Sequence, residues 1–444
     1  MQDSASTAEA GEDCYGNDRE VLTQQASFFN NPHLSDVTIV VGDTNYAGHR
    51  FILAKGSDVM DRMLSGAWKG DKSKEINLTE DAESARVFAS FLRFFYSNHI
   101  TLNESNLLPL LVLADKYNVP GLRKICVDYA TRSIIPKLEP RDVLASWFSY
   151  STRAHHQGIT GACVDVIAAS MQEVISSPLW EKCWLELDRD QLVELLRSSS
   201  LVVHNEFALW EAVLRWLQAT NHQERRGPTA GPLISQIAPL IRFAFMTPDE
   251  LLKVEESEQA KTHPKILQPL IAQSYKAQAL SLTTRAACKD LTGQSLLLRN
   301  YSDCRWDKRI VISGEKLERC LEHEIKFQTR SCALPNASWP WTLKVSTQSS
   351  YHTGPHDHSL RFILFADSVD HPRFVEYQIA FTDDQQMLRI STGKAHFSKS
   401  RYHSELDVGE RVSIDDVISR STSLLLPNYE MHLQLILKPL TGYE

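Results

Sequence analysis

Three imidazoles and a carboxylate fall close together in Tyr351-His-Thr-Gly-Pro-His-Asp-His, namely His352, His356, Asp357 and His358. Such side chains can hold Zn²⁺ or Cu²⁺ when a scaffold fixes them. Here Gly354-Pro355 separates the first His from the others, and nothing flanking it preorganises the loop. A polar turn between two strands is the better reading, so no metal and no other cofactor is assigned. His323-Glu324 begins like a metalloprotease helix, but the second His is missing at the required spacing. It reads as the start of a strand. Phosphate-loop, nucleophile-elbow and dinucleotide-turn motifs are all lacking. With no catalytic residue to assign, the chain is expected not to be an enzyme.

Other polar and aromatic residues point to binding. Asp36 and Arg50 each adjoin apolar residues that read as strands. A half-buried ion pair at an interface specifies partner geometry more than it adds stability. His49, between apolar segments, is expected to be a buried, hydrogen-bonded core residue and not a proton switch. Trp147, Trp180, Trp184, Trp210 and Trp216 read as helix-packing residues, not a ligand cage. Arg225-Arg226 lies in a Pro/Gly-rich stretch and is expected in a solvated loop.

The elements that must position these residues follow from periodicity. Residues 1–18 are small, polar and acidic and read as a disordered tail. Val21, Leu22, Ala26 and Phe29 form an apolar helical stripe that Asn30-Asn31-Pro32 stops. Strands are predicted over Asp36–Gly42 and Tyr46–Leu53, joined by a turn at Asp43-Thr-Asn45. A helix at Val59–Leu64, a strand at Glu75–Leu78 and helices over Ala85–Tyr96, Leu107–Tyr117 and Leu122–Ala130 complete an α+β unit. From Pro140 to Leu282 the pattern is helical with no strand, as in a bundle or short solenoid. Beyond Cys288 the period changes to two, over 323–330, 341–346, 360–366, 374–382, 387–392 and 431–438. Short alternating strands with polar turns predict an antiparallel β-sandwich.

The totals agree with this division. A chain of 444 residues has room for about three domains. A net charge of −8 argues against a nucleic-acid surface. No run approaches the ~20 apolar residues of a membrane helix. The first twenty residues are polar and acidic, without the apolar core of a signal peptide. A cytoplasmic protein is therefore expected, or a secreted one if a leader precedes this start. The eight cysteines include no C-x-x-C pair. Cys304, Cys320 and Cys332 could be bridged outside the cell, as sequons at Asn77, Asn103, Asn300 and Asn336 would also allow, but reduced thiols are favoured.

The first unit resembles the BTB/POZ family. The matching segments are Leu34-Ser-Asp-Val-Thr-Ile, Ala47-Gly-His-Arg-Phe-Ile-Leu-Ala, Ser57-Asp-Val-Met-Asp-Arg-Met-Leu, Phe91-Leu-Arg-Phe-Phe-Tyr-Ser and Leu111-Val-Leu-Ala-Asp-Lys-Tyr-Asn-Val-Pro-Gly-Leu, in the family's order. The helical middle resembles the BACK domain at Ala208-Leu-Trp-Glu-Ala-Val-Leu-Arg-Trp-Leu and Ile241-Arg-Phe-Ala-Phe-Met-Thr-Pro-Asp-Glu-Leu. The tail has no ~50-residue repeat with paired glycines, so a kelch array is not expected. Leu297-Leu-Arg-Asn-Tyr and His432-Leu-Gln-Leu-Ile-Leu-Lys-Pro resemble a TRAF-like domain found in relatives of galectin-3-binding protein.

The resemblance implies a multidomain chain: an α+β BTB/POZ domain over 19–130, an all-α BACK domain over 131–283 and a TRAF-like antiparallel β-sandwich over 290–444. It implies a homodimer whose interface takes in Val21, Leu22, Ala26 and Phe29 of an exchanged helix, with Asp36 and Arg50 near the dimer pocket. It further implies a substrate adaptor for a cullin-RING ubiquitin ligase, with Met63, Trp68 and Asp71 facing the cullin and a protein substrate on the C-terminal domain. Cullin binders usually carry an apolar residue, any residue, then Glu after the helix Val59–Leu64. Here Trp68-Lys69-Gly70 stands at that place with the acid displaced to Asp71. The alternative is a non-ligase oligomeric scaffold like the galectin-3-binding relatives.

Overall fold

The computed structural model describes residues 16–65, 74–319, 322–332, 337–349 and 358–440. They gather into two units, Met1–Glu139 with Gln157–Ala162, and Pro140–His156 with Cys163–Glu444.

In the first unit, β1 (Val37–Val41) and β2 (Thr44–Gly48) pair antiparallel, and β3 (Glu75–Leu78) lies parallel to β1 on its other side. The hairpin loop is Gly42-Asp43, not Asp43–Asn45 as expected, and Gly42 has φ +55°. Glycine takes that left-handed conformation without Cβ strain at the first position of a two-residue loop. Val37, Ile39 and Val41 alternate into the core.

The expected second strand, Tyr46–Leu53, is half strand and half helix. With Asp18–Ala26 as α1, β2 stops at Gly48 and α2 (Arg50–Gly56) begins two residues on. The backbone donors explain the break: His49 N–H goes to the Tyr96 hydroxyl (3.0 Å) and Arg50 N–H to the Asp36 carboxylate (2.8 Å). With those donors bound by side chains, the ladder cannot continue. Ser57 then caps α3 (Asp58–Leu64) by accepting from Met60 N–H.

The helix α4 (Ala82–Ser97) begins at Asp81, whose carboxylate accepts from Ser84 N–H. That hydrogen bond holds the Asp81 carboxyl below its ordinary pKa. Val87, Phe88, Phe91, Leu92 and Phe95 bury one face of α4, which ends at Asn98 with φ +45°. α5 (Glu104–Lys116) and α6 (Pro120–Tyr129) close the core with Leu107, Leu110, Leu111, Leu122 and Cys126.

The second unit begins with helices, among them Met171–Ser176, Pro178–Glu186, Arg189–Arg197, Glu206–Leu217 and Pro248–Glu256. Thr247 and Glu250 form the capping box that opens the last of these, behind Pro248 at its first turn. Trp147, Trp180, Trp184, Trp210 and Trp216 are all buried packing residues. Two of them also tie down backbone: Trp184 Nε1 donates to Ala212 O and Trp216 Nε1 to Leu187 O, each at 2.8 Å.

Two expectations fail here. The helical region is not free of strands: β4 (Val202–Val203) pairs parallel with β5 (Asn300–Tyr301). Arg225, expected in solvent, is buried; Nη1 donates to Leu185 O (2.8 Å), Nη2 to Leu187 O (2.9 Å), and the guanidinium lies 3.8 Å over the Trp216 ring. Three carbonyls and a ring face replace its hydration. Arg226 remains exposed.

The C-terminal part forms two four-stranded antiparallel sheets. One contains β6 (Asp307–Ser313), β10 (Arg373–Thr382), β11 (Met387–Phe397) and β13 (Glu430–Pro439), in the order β11-β10-β13-β6. The other contains β7 (His323–Arg330), β8 (Ser338–Ser349), β9 (His358–Ala366) and β12 (His403–Leu406), in the order β12-β9-β8-β7. Trp341, Leu343 and Leu364 of one sheet share a core with Ile379, Leu433 and Leu435 of the other. Phe362 and Phe381 meet edge to face across it at 6.0 Å. Gly393 stands opposite Tyr377 in register, and a Cβ there would run into the phenol.

The other face of the β10 sheet is dry as well. Glu376 accepts from Leu282 N–H (3.1 Å) and Thr283 N–H (3.2 Å). Gln434 accepts from Leu298 N–H (3.0 Å) and donates to Leu296 O (3.2 Å). Ala380 and Met387 pack with Ala244, Ala277 and Leu296. The polar positions that alternation assigns to solvent are thus buried and hydrogen-bonded.

Candidate protein-interaction surface

The helix α1 has no fully buried residue. Leu22, Ala26 and Phe29 are half-buried and Val21 is 58% exposed. Within the unit α1 leans on α4, with Gln25 Nε2 donating to Phe95 O (3.3 Å) and the Phe29 ring 6.0 Å from Tyr96. Val21 stays uncovered and the rest of its apolar stripe is covered only in part.

Asp36 and Arg50 do come together, in a way the sequence reading did not foresee. Asp36 Oδ1 accepts from the backbone N–H of Arg50 at the start of α2, and Arg50 Nε donates to the Asp36 carbonyl (3.3 Å). Arg50 Nη1 reaches Leu64 O at 2.5 Å. The pair therefore fixes the β2–α2 corner and joins it to the end of α3. Two apolar side chains flank this corner in sequence. Leu34 is 73% exposed with φ +58°, and Phe51 is 79% exposed. A left-handed leucine is uncommon and is found where surrounding structure or function demands it.

His49 is buried, its ring nitrogens meeting Tyr96 Oη (3.1 Å) and His33 O (2.9 Å). That is the core role expected of it. Burial raises the Tyr96 phenol above its ordinary pKa. Met63 is half-buried on α3, while Trp68 and Asp71 lie outside the described residues. His352, His356 and Asp357 lie outside them too. Among the described residues no group of three or more His, Cys, Asp or Glu is arranged to hold a metal. His323 does begin a strand, β7. The described cysteines, Cys126, Cys163, Cys183, Cys288, Cys304 and Cys332, are free thiols, and Cys320 lies outside the described residues.

The sequence reading missed a buried ionic cluster inside the second unit. Glu206, at the start of the helix Glu206–Leu217, accepts from Arg242 N–H (2.8 Å) and Arg299 Nη1 (3.1 Å) on one oxygen and from the Tyr301 hydroxyl (2.8 Å) on the other. Arg299 also donates to Leu196 O (2.6 Å) and Leu240 O (2.9 Å), and Arg242 to Leu297 O (2.7 Å). Burial, aided by the Arg299 charge, pushes the Arg242 guanidinium down to about 9. Burial and the nearby Glu206 hold the Tyr301 phenol well above its ordinary value. The one available signal was an arginine set within apolar runs, at Leu240-Ile-Arg-Phe and Leu296-Leu-Leu-Arg. Its chemistry is cohesive: the cluster ties helices to the segment that leads into the sheets.

Residues 26–134 match the BTB/POZ domain and residues 144–256 match the domain described as BTB And C-terminal Kelch, or BACK. The chain carries a BTB/POZ domain followed by a BACK domain. BTB/POZ domain-containing protein 17 of Xenopus laevis is 25% identical over 307 residues, 68% of this chain and 61% of that protein. The human protein of the same description is 25% identical over 416 residues, 89% of this chain and 81% of its own length. Kelch-like protein 41 of Mus musculus is 24% identical over 237 residues, 52% of this chain and 36% of that protein. The chain thus spans about three fifths of the frog relative. The BTB/POZ match contains α2–α6, the exposed Leu34 and Phe51 and the Asp36–Arg50 corner, and begins at Ala26, the last residue of α1. The BACK match contains Glu206 and Arg242 but ends before Arg299 and Tyr301. Among the described residues no helix is long and apolar enough to cross a membrane.

Proposed function

We propose that this chain is a non-enzymatic, homodimerising adaptor whose BTB/POZ domain pairs two copies and whose C-terminal sheets, read as a TRAF-like sandwich, hold a protein substrate. The observation that carries the dimer is the apolar stripe of α1, with Val21 exposed and Leu22, Ala26 and Phe29 only half-buried, since exposed apolar surface beside a packed core marks an interaction site. A second copy covering Val21 and Leu22 is the occupant the BTB/POZ likeness favours. Substrate capture on the sheets draws support from an aromatic cluster: Tyr402 is 53% exposed, with His403 at 5.1 Å and Phe365 at 6.3 Å. Two tails on one dimer raise effective concentration on a multivalent substrate.

The test is sedimentation of the full chain at micromolar concentration. Wild type is expected as a dimer and Leu22→Asp as a monomer, because burying an unpaired carboxylate costs several kcal/mol, roughly. A wild-type monomer sinks the dimer.

The ligase role is the finer part of this reading. Cullin co-precipitation that disappears in Met63→Asp and Trp68→Ala supports it. Trp68-Lys69-Gly70, standing where cullin binders carry an acid, favours the second reading, a non-ligase scaffold. Sugar on Asn77 or Asn103, both exposed, would place that scaffold outside the cell.

A further inference from the structure

The BACK helices carry a groove that neither the dimer nor the substrate-facing sheets account for. It runs between Met171–Ser176, Pro178–Glu186 and Glu206–Leu217. Ile175, Pro178 and Ala208 supply its apolar lining, and Glu181, Glu211 and Arg215 its charge. We propose that this groove is a docking site for a basic amphipathic helix of a partner protein.

Three observations select that occupant. The first is charge. Arg215 is already committed, with Nε 3.5 Å from Glu181 and its guanidinium donating to Ile175 O. Glu211 is exposed and has no ion-pair partner among the described residues. Glu173, the residue after the lining residue Gln172, is exposed and accepts the neutral indole N–H of Trp180 at 3.2 Å, with no ion-pair partner among the described residues. The groove therefore carries an acidic excess that a Lys or Arg complements. The second is apolar surface. Leu179, the residue after the lining residue Pro178, is 74% exposed, and Ile175 of the lining is buried. The third is backbone chemistry. The walls are helices whose peptide groups are internally bonded, so an extended segment finds no strand edge to join. A helix satisfies its own backbone and needs only side-chain contacts. Because the groove lies within the BACK domain, the proposal stands whether or not the BTB/POZ domain dimerises or binds a cullin.

The test uses the full chain and a fluorescein-labelled helix of about 14 residues, with Leu at i, i+3, i+4 and i+7 and Lys elsewhere on the exposed face. Fluorescence anisotropy is expected to show binding that weakens as salt rises. Glu211→Lys should weaken it by about tenfold or more, the size expected for reversing a charge opposite a cation. Glu211→Gln should have an intermediate effect, and Leu179→Ser should weaken binding without changing its salt dependence. Circular dichroism should be unchanged in all three, since both side chains are exposed. Equal affinity of Glu211→Lys and wild type overturns the proposal. So does no binding, or equally tight binding of a peptide with Glu in place of Lys. A self-association that Glu211→Lys abolishes would make a second copy the occupant, and would also overturn it.

Discussion

Arg299 Nη1 lies 3.1 Å from Glu206 Oε1, and both side chains are completely shielded from solvent. Glu206 belongs to the BACK helices, whereas Arg299 belongs to the segment just ahead of the sheets. Together with the β4–β5 pairing and the Glu376 and Gln434 hydrogen bonds, this contact ties the helices to the sheets, so the two are expected to unfold together.

Glu206→Ala leaves the Arg299 guanidinium buried without its counter-charge, a change that costs about 3–5 kcal/mol. Urea unfolding should shift to lower midpoint while far-ultraviolet dichroism and tryptophan fluorescence remain coincident, because Trp210 of the helices and Trp341 of the sheets unfold together. Two separated transitions in the wild-type second unit would contradict this joint unfolding.

Arg225→Lys keeps the charge but loses the fork that serves Leu185 and Leu187 and the stacking on Trp216. A loss of about 1–3 kcal/mol is expected in thermal or urea denaturation. Arg226→Ala, on the exposed neighbour, should fall within about 0.5 kcal/mol of wild type. Equal effects at the two positions would place Arg225 in solvent after all.

Tyr96→Phe removes the hydroxyl that receives His49 N–H and meets the His49 ring. Leaving a buried backbone donor unsatisfied costs about 1–3 kcal/mol. Amide exchange should show the loss first at the β2–α2 corner, where His49 N–H loses its protection.

Burial pushes the thiols of Cys126 and Cys163 up to about 12, from an ordinary value of 9.0. The folded state therefore keeps protons that the unfolded chain releases. Their contribution to stability is complete below pH 9 and is lost as pH rises from 9 towards 12. A chromogenic disulfide at pH 8 should label the exposed Cys332 early and reach Cys126 and Cys163 only on unfolding. Replacing both by Ala should flatten the alkaline loss of stability.

Much of the BTB/POZ domain was legible because its signals are local. The stripe Val87, Phe88, Phe91, Leu92 and Phe95 specified α4, and β3 and β7 were read to the residue. The second strand was misread because Tyr46–Leu53 carries apolar residues on both sides of His49-Arg50. Its change from strand to helix is decided by Tyr96 and Asp36, side chains distant in sequence. β6 and β12 went unread: the first begins with three charged residues and the second is four residues long, so neither displays a clean alternation.

By itself, then, the sequence determined most of the helices, the strands with a clean alternation, the order of the parts and the absence of recognisable catalytic motifs, because periodicity and turn chemistry act over a few residues. Tertiary structure alone decided that Arg225 is buried, that Glu206 meets Arg299 across 93 residues of chain, and that the polar face of β10 is covered. Those outcomes depend on which distant carbonyl, carboxylate or amide arrives to replace water, and no local pattern encodes that arrival.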